Sequence, residues 1–212
     1  MDVRLVRPPG ERLDESGRPS DALSPAARLA GRGDRNAVRQ VVEAVAPAML
    51  RAIRKVMGHR TAEVEDVLQD AVEGLLGSLP AFKGECTVLH FACRVAVLSA
   101  LACRRRSSFR AQFTADGEPT GDGAPSPAPS PMDDACAKRR RQLLGSLLDE
   151  LAPAQAEVLV LHCALGFTVA EIAASLGCPI ETVRSRLRLS KQALRERIAA
   201  NRAWAEILEV GR

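Results

Sequence analysis

Apolar residues along this 212-residue chain return every three or four positions through two stretches, 24–106 and 137–200. That spacing is the signature of helices with one buried side. Alternation with period two never persists, so no strand is expected and the fold class reads as all-α. The pattern fails in three places. Residues 1–23 are polar, rich in Pro and Gly and aperiodic, which predicts a mobile N-terminal arm. Residues 107–136 include "TADGEPTGDGAPSPAPSPMDD", whose Pro, Ser and Gly content cannot support a core and predicts a flexible tether. Residues 201–212 form a short tail carrying the single tryptophan, Trp204. The expectation is two small helical domains joined by a linker.

Punctuation residues subdivide each block. In the first, Ser24 reads as a cap followed by Pro25 at the first helical position. A long helix then covers about Asp34 to Met57, with a kink expected near Pro47. Thr61 can cap a third helix ending near Ser78, "LPAFKGECT" makes a loop, and a fourth helix covers 88–106. The second block reads as four helices, with Gly166 and Gly177 as natural stops.

Charge changes the picture at one place. The whole chain carries a formal charge of only +4, yet Thr182–Arg197 alone holds six basic residues against one acid, Glu196. In "TVAEIAASLGCPIETV", Thr168 and Glu171 have the spacing of a capping box, Gly177 ends that helix, and Pro179 starts the next. At about 100° per residue, Val183, Leu187, Leu194 and Ile198 share one stripe, which must face a core. Arg184, Arg188, Lys191 and Arg195 line a flank of the other side, beside Glu181, Ser185 and Gln192, with Arg186 and Arg197 on the opposite flank. A solvated basic face is the plain reading of such a helix alone. The capped preceding helix and the Gly-Cys-Pro turn favour a helix-turn-helix, whose second helix enters a DNA major groove.

Other chemistry is scarce. The six cysteines form no CxxC pair, and the N-terminus has no apolar core of a secretory signal. The most apolar run, 88–103, is too short to span a bilayer and contains Arg94. A cytoplasmic protein with reduced thiols and no membrane insertion is expected. Cys86, His90 and Cys93 are spaced i, i+4, i+7 but lack a fourth ligand, and they read as buried small side chains, as does the His162-Cys163 pair. No nucleophile motif, paired carboxylates or phosphate-cradling glycine loop occurs, so neither an enzyme nor a cofactor is expected.

The stretch "LLDELAPAQAEVLVLHCALGFTVAEIAASLGCPIETVRSRLRLSKQALRERI" closely resembles region four of bacterial sigma factors, in particular the extracytoplasmic function (ECF) class of the sigma-70 family. "AEVEDVLQDAVEGLLGSLPAFKGE" is similar to region two of the same family. The resemblance implies a promoter-specificity subunit of RNA polymerase. On that reading 24–106 binds core polymerase and the −10 element, and 137–200 binds the −35 element. It places Glu181, Thr182, Arg184, Ser185, Arg186, Arg188 and Lys191 on the −35 element. Asp66, Gln69, Asp70 and Glu73, spaced i, i+3, i+4, i+7 opposite Val64, Leu68, Ala71 and Leu75, would meet the clamp coiled coil of the polymerase's largest subunit.

For the −10 element the resemblance points to the loop Phe82, Lys83, Gly84 and Glu85, which would cradle an extruded base, and to Phe91, Arg94, Arg104 and Arg105 on the next helix. Here the sequence departs from the family's pattern. Its tryptophan, asparagine and aspartate are replaced by Phe91, Leu98 and Ala102, within about 40° of one another on the helix. Either the −10 contact is made differently or this apolar face packs elsewhere in the protein. The "KRRR" at 138–141 could add phosphate or polymerase contacts.

Two promoter elements nearly two helical turns apart lie roughly 60–70 Å from each other, and about thirty extended residues reach at most ~100 Å. The tether therefore lets both blocks engage at once. Two rival readings stay open: a stand-alone helix-turn-helix regulator, and a protein whose main task is capture by an anti-sigma factor.

Overall fold

The computed structural model describes residues 21–58, 61–113, 139 and 143–201. The arm up to residue 20, most of the tether, three of the four "KRRR" positions and the tail with Trp204 lie outside them. Among the described residues the chain is helical, without strand. The first block holds α1 (Ser24–Ala30), α2 (Arg35–Met57), α3 (Thr61–Ser78), a 3₁₀ turn at Leu79–Ala81, and α4 (Val88–Phe113). The second holds α5 (143–149), α6 (Pro153–Leu159), a π turn at Val160–Ala164, α7 (Val169–Leu176) and α8 (Ile180–Ala200).

Local chemistry explains most boundaries. Asp34 caps α2 by accepting the Ala37 N–H at 2.7 Å. Pro47 sits inside α2 on its exposed side, and the helix runs through it unbroken. The carbonyl of Glu43, which loses its partner there, belongs to an exposed residue open to water. Thr87 Oγ1 accepts the His90 N–H at the start of α4, and Asp21 Oδ2 accepts the Val88 N–H at 2.5 Å. Asp21, counted with the mobile arm from sequence, is thus tied to the fold. Leu23, one residue before Ser24, is the cap position of α1.

α4 is seven residues longer than the 88–106 helix expected, taking the first part of the presumed tether into the fold. Its apolar side, with Val88, Ala92, Ala96, Val97 and Ala100 fully buried, packs between α2 and α3. Met49, Ile53 and Leu75 fill the centre of that packing, and Val158, Leu161, Ile172 and Val183 that of the second block. The two sets form one continuous core.

The blocks therefore do not stand apart. α4 packs on α6 and α7. The His90 ring lies 4.3 Å from that of Phe167, and Lys55 on α2 donates to the Ala164 carbonyl at the end of the π turn. Ion pairs complete the contact. Arg94 Nε donates to Glu157 Oε1 at 2.8 Å, and its Nη1 to the Ser175 carbonyl at 2.9 Å, in the last turn of α7 where a cation is favoured. Arg104 meets both oxygens of Asp149, at 3.1 and 2.9 Å, and Ser108 donates to the same carboxylate.

Candidate nucleic-acid interface

The α7–α8 pair is built by the residues that the sequence singled out. Thr168 Oγ1 accepts the Glu171 N–H, and Glu171 Oε2 accepts the Thr168 N–H, closing the capping box. Gly177 ends α7 at φ 61°, a left-handed conformation in which a side chain would be strained. Pro179 is extended, with ψ 145°, so α8 begins at Ile180, one residue later than expected.

Burial then fixes which side of α8 faces out. Val183 is fully buried and Leu187 nearly so, while Leu194 and Ile198 are half-buried. Glu181, Arg184, Ser185, Arg188 and Lys191 are exposed, and Thr182 and Arg186 are half-buried beside them. Glu181 and Arg184 pair at 2.5 Å along the exposed face. Arg197 leaves that face, forming an ion pair with Glu150. Sequence reasoning passed over Ser190, which is fully buried between Leu187 and Leu194 and donates to the carbonyls of Gln155 and Arg186. Its place on the Val183–Leu187–Leu194 stripe was the available signal.

The four acidic and amide positions on α3 are all exposed. Gln69 donates to Glu73 at 3.2 Å, and Arg106 approaches Asp70 at 3.9 Å. Opposite them Val64, Ala71 and Leu75 are buried and Leu68 is half-buried, so the stripe is an outward face held by a packed back.

The residues expected at the −10 element divide. Phe82 is half-buried with its ring 5.1 Å from that of Phe91, tilted by 45°. Lys83 and Glu85 project from the loop, and Gly84 turns it at φ 71°. Leu98 is 40% exposed and Ala102 is exposed, so the described residues do not cover the apolar face of α4. Arg94 and Arg104, by contrast, are engaged by acids of the second block. Arg105 is half-buried, its Nη2 enclosed without a hydrogen-bond partner among the described residues.

Cys86, His90 and Cys93 are all buried. Burial pushes the Cys93 thiol up to about 11, against a smaller opposing pull from Arg51, so it stays protonated at neutral pH. His162 Nδ1 is 2.8 Å from the Phe167 carbonyl, and Cys163 is exposed. Among the described residues no group of three or more His, Cys, Asp or Glu could hold a metal ion. None of their helices is long and apolar enough to cross a membrane.

The profile of a family described as "Sigma-70, region 4" matches residues 141–194, the segment that holds the capping box and the exposed start of α8. Over that segment the chain is similar to region four of the sigma-70 family. Over 175 residues it is 25% identical to the ECF RNA polymerase sigma factor SigD of Mycobacterium bovis, spanning 79% of this chain and 80% of that protein. The Mycobacterium tuberculosis protein of the same name matches equally. In fold the chain is similar to CnrH, solved in complex with the cytosolic domain of CnrY, with a TM-score of 0.52 and 22% identity. That likeness covers 85% of this chain and 99% of CnrH. The matched segment also contains Asp149 and Glu157, the two acids that hold α4.

Proposed function

We propose that the chain acts as an ECF sigma factor that grips core RNA polymerase with α3 and reads promoter DNA with α8, directing transcription initiation in the cytoplasm. The observation that carries the reading is the outward basic face of α8. Its back is locked into the core by Val183 and Leu187, and its start is fixed by a doubly capped α7. A helix held so firmly presents side chains at fixed positions, as groove reading needs. Arg184 and Arg188 are the readers of base edges. Lys191 and Arg195 lie further along and hold phosphates.

Asp66, Gln69, Asp70 and Glu73 form the polymerase-facing stripe, directed at the clamp coiled coil of the largest subunit. The loop Phe82–Glu85 and the Phe91 ring supply stacking surface for an unpaired base of the −10 element. With Leu98 and Ala102 exposed, recognition beside that base is apolar, the chemistry that suits a thymine methyl group. The chain supplies binding and the polymerase supplies the catalysis. A protein partner that captures the factor belongs to the same proposal, and the complex of CnrH with the cytosolic domain of CnrY supports it.

The deciding experiment reverses Asp66 and Asp70 to lysine together. Both side chains are outward, so the fold should survive, as circular dichroism would report. Core-polymerase binding is expected to be lost. Binding that persists at wild-type strength would instead favour a stand-alone DNA-binding regulator.

A further inference from the structure

A second basic surface lies at the turn between α1 and α2, far along the chain from α8. Residues 28–39 hold four arginines, Arg28, Arg32, Arg35 and Arg39, against one acid, Asp34. All four arginines are exposed, and none forms an ion pair among the described residues. Asp34 is turned to the backbone, accepting the Ala37 N–H as the cap of α2. Arg35 and Arg39 lie one turn apart, opposite Ala37 and Val41, which are buried in the core.

Local stability does not account for this cluster. Arg35 is the first residue of α2, and no acid stands in that first turn. The amides at a helix start carry partial positive charge, so the dipole disfavours a cation there. Position in the fold accounts for it better. The turn is closed by the Gly31 and Asp34 N–H groups, which donate to the Ala27 and Leu29 carbonyls at 2.9 and 3.2 Å. A Cβ at Gly31 would lie 3.1 Å from the Leu79 carbonyl and 3.2 Å from Pro80 N. The bare glycine therefore seats the turn on the 3₁₀ segment that leads into the Phe82–Glu85 loop. Lys83 projects from that loop. A strand whose base sits in the loop continues past it, and its phosphates need cations. α4 supplies few, because Arg94 and Arg104 are bound to Glu157 and Asp149.

We propose that Arg28, Arg32, Arg35 and Arg39 form a sequence-independent binding surface for the phosphate backbone of single-stranded DNA, beside the base-holding loop. The proposal rests on the −10 assignment of that loop. A guanidinium fork takes two phosphate oxygens, so the surface adds affinity and register while base reading stays with the loop.

The test uses the full chain with Arg28→Gln, Arg32→Gln, Arg35→Gln and Arg39→Gln together. The probe is a fluorescein-labelled oligothymidylate, which presents phosphates without a varied base sequence. Anisotropy should show binding about tenfold weaker than wild type near physiological salt. The slope of log affinity against log salt should fall by about two to three, at roughly 0.7 for each phosphate on a single strand. Lysine at the same four positions keeps the charge and should keep most of the slope. Arg32→Gln with Arg35→Gln is then compared with Arg51→Gln and Arg54→Gln, two exposed arginines towards the other end of α2. Only the first pair should weaken binding appreciably. If the fourfold variant loses helicity, that first pair carries both readings at about half the amplitude. Equal losses from the two pairs, or a wild-type chain that does not bind the oligonucleotide, would overturn the proposal. Core-polymerase binding should stay at wild-type strength in every variant. Its loss with oligonucleotide binding intact would assign the arginines to an acidic protein surface and equally overturn the proposal. Failure of the sigma reading would appear separately, as a wild-type chain that does not bind core polymerase.

Discussion

Arg104 and Asp149 meet through two parallel hydrogen bonds over the bare backbone of Gly145, joining the end of α4 to α5 across a separation of forty-five residues. The pair is mostly shielded, with side chains 17% and 13% exposed. Glycine within a helix ordinarily costs about 1 kcal/mol relative to alanine. Gly145→Ala therefore recovers that amount but drives the guanidinium off Asp149. Removing one partner of a buried pair costs about 3–5 kcal/mol, and a guanidinium that escapes to water lowers this. We expect a net loss of about 1–2 kcal/mol in denaturant unfolding, the opposite sign from a normal helical Gly→Ala change.

On α8 the argument concerns specificity. Arg184→Ala and Arg188→Ala should each cost about 1–3 kcal/mol on a cognate −35 element and much less on scrambled sequence. Arg195→Ala should weaken both duplexes alike and lower the slope of affinity against salt by about one. The comparison belongs in the holoenzyme, where α8 is presented to DNA. Equal losses on both sequences for Arg184 and Arg188 would make them phosphate anchors instead of readers.

Much of this was legible in the chain because the controlling interactions are local. The capping box needs only residues three apart. The left-handed Gly177 is a single-residue property, and the stripe through Val183 and Leu187 follows from helical period alone. α3 ends at Ser78 as expected for the same reason, although Thr61, expected as its cap, is its first helical residue. What escaped depends on partners distant in sequence. α4 reaches Phe113 with Arg104 and Ser108 both bound to Asp149, which no local pattern encodes. Asp21 binds the start of α4 from sixty-seven residues away. The π turn at Val160–Ala164 starts inside an apolar run, Val158 to Leu161, that is buried throughout and so carries no helical phase from which a change of pitch could be read. The packing of the two blocks against each other was hidden likewise, since Arg94 was read as a DNA contact and no local pattern joins it to Glu157, sixty-three residues away.

The cap at α7 offers a cleaner measurement. Thr168→Ala removes the acceptor for the Glu171 N–H and should cost about 1 kcal/mol. Thr168→Ser keeps that oxygen and should lose only a few tenths. Thermal unfolding in parallel would resolve the two, and equal losses would mean that the methyl group, not the hydrogen bond, matters at this position.

Cys93 gives the pH prediction. Its thiol is raised from 9.0 to about 11 because burial disfavours the thiolate. The folded state thus holds its proton more tightly than the unfolded chain does. This contribution to stability is fully present below pH 9 and is lost as pH rises through the window from about 9 to about 11. Two units of displacement correspond to at most about 2–3 kcal/mol. Comparison with Cys93→Ala isolates this thiol from the five other cysteines and four lysines of the chain. Cys93→Ala keeps an apolar group in the site and removes the titration. Wild type should therefore lose stability relative to Cys93→Ala between pH 9 and 11, while the difference between them stays constant from pH 6 to 8. Parallel curves across the alkaline range would show that the thiol is not held in its protonated form by the core.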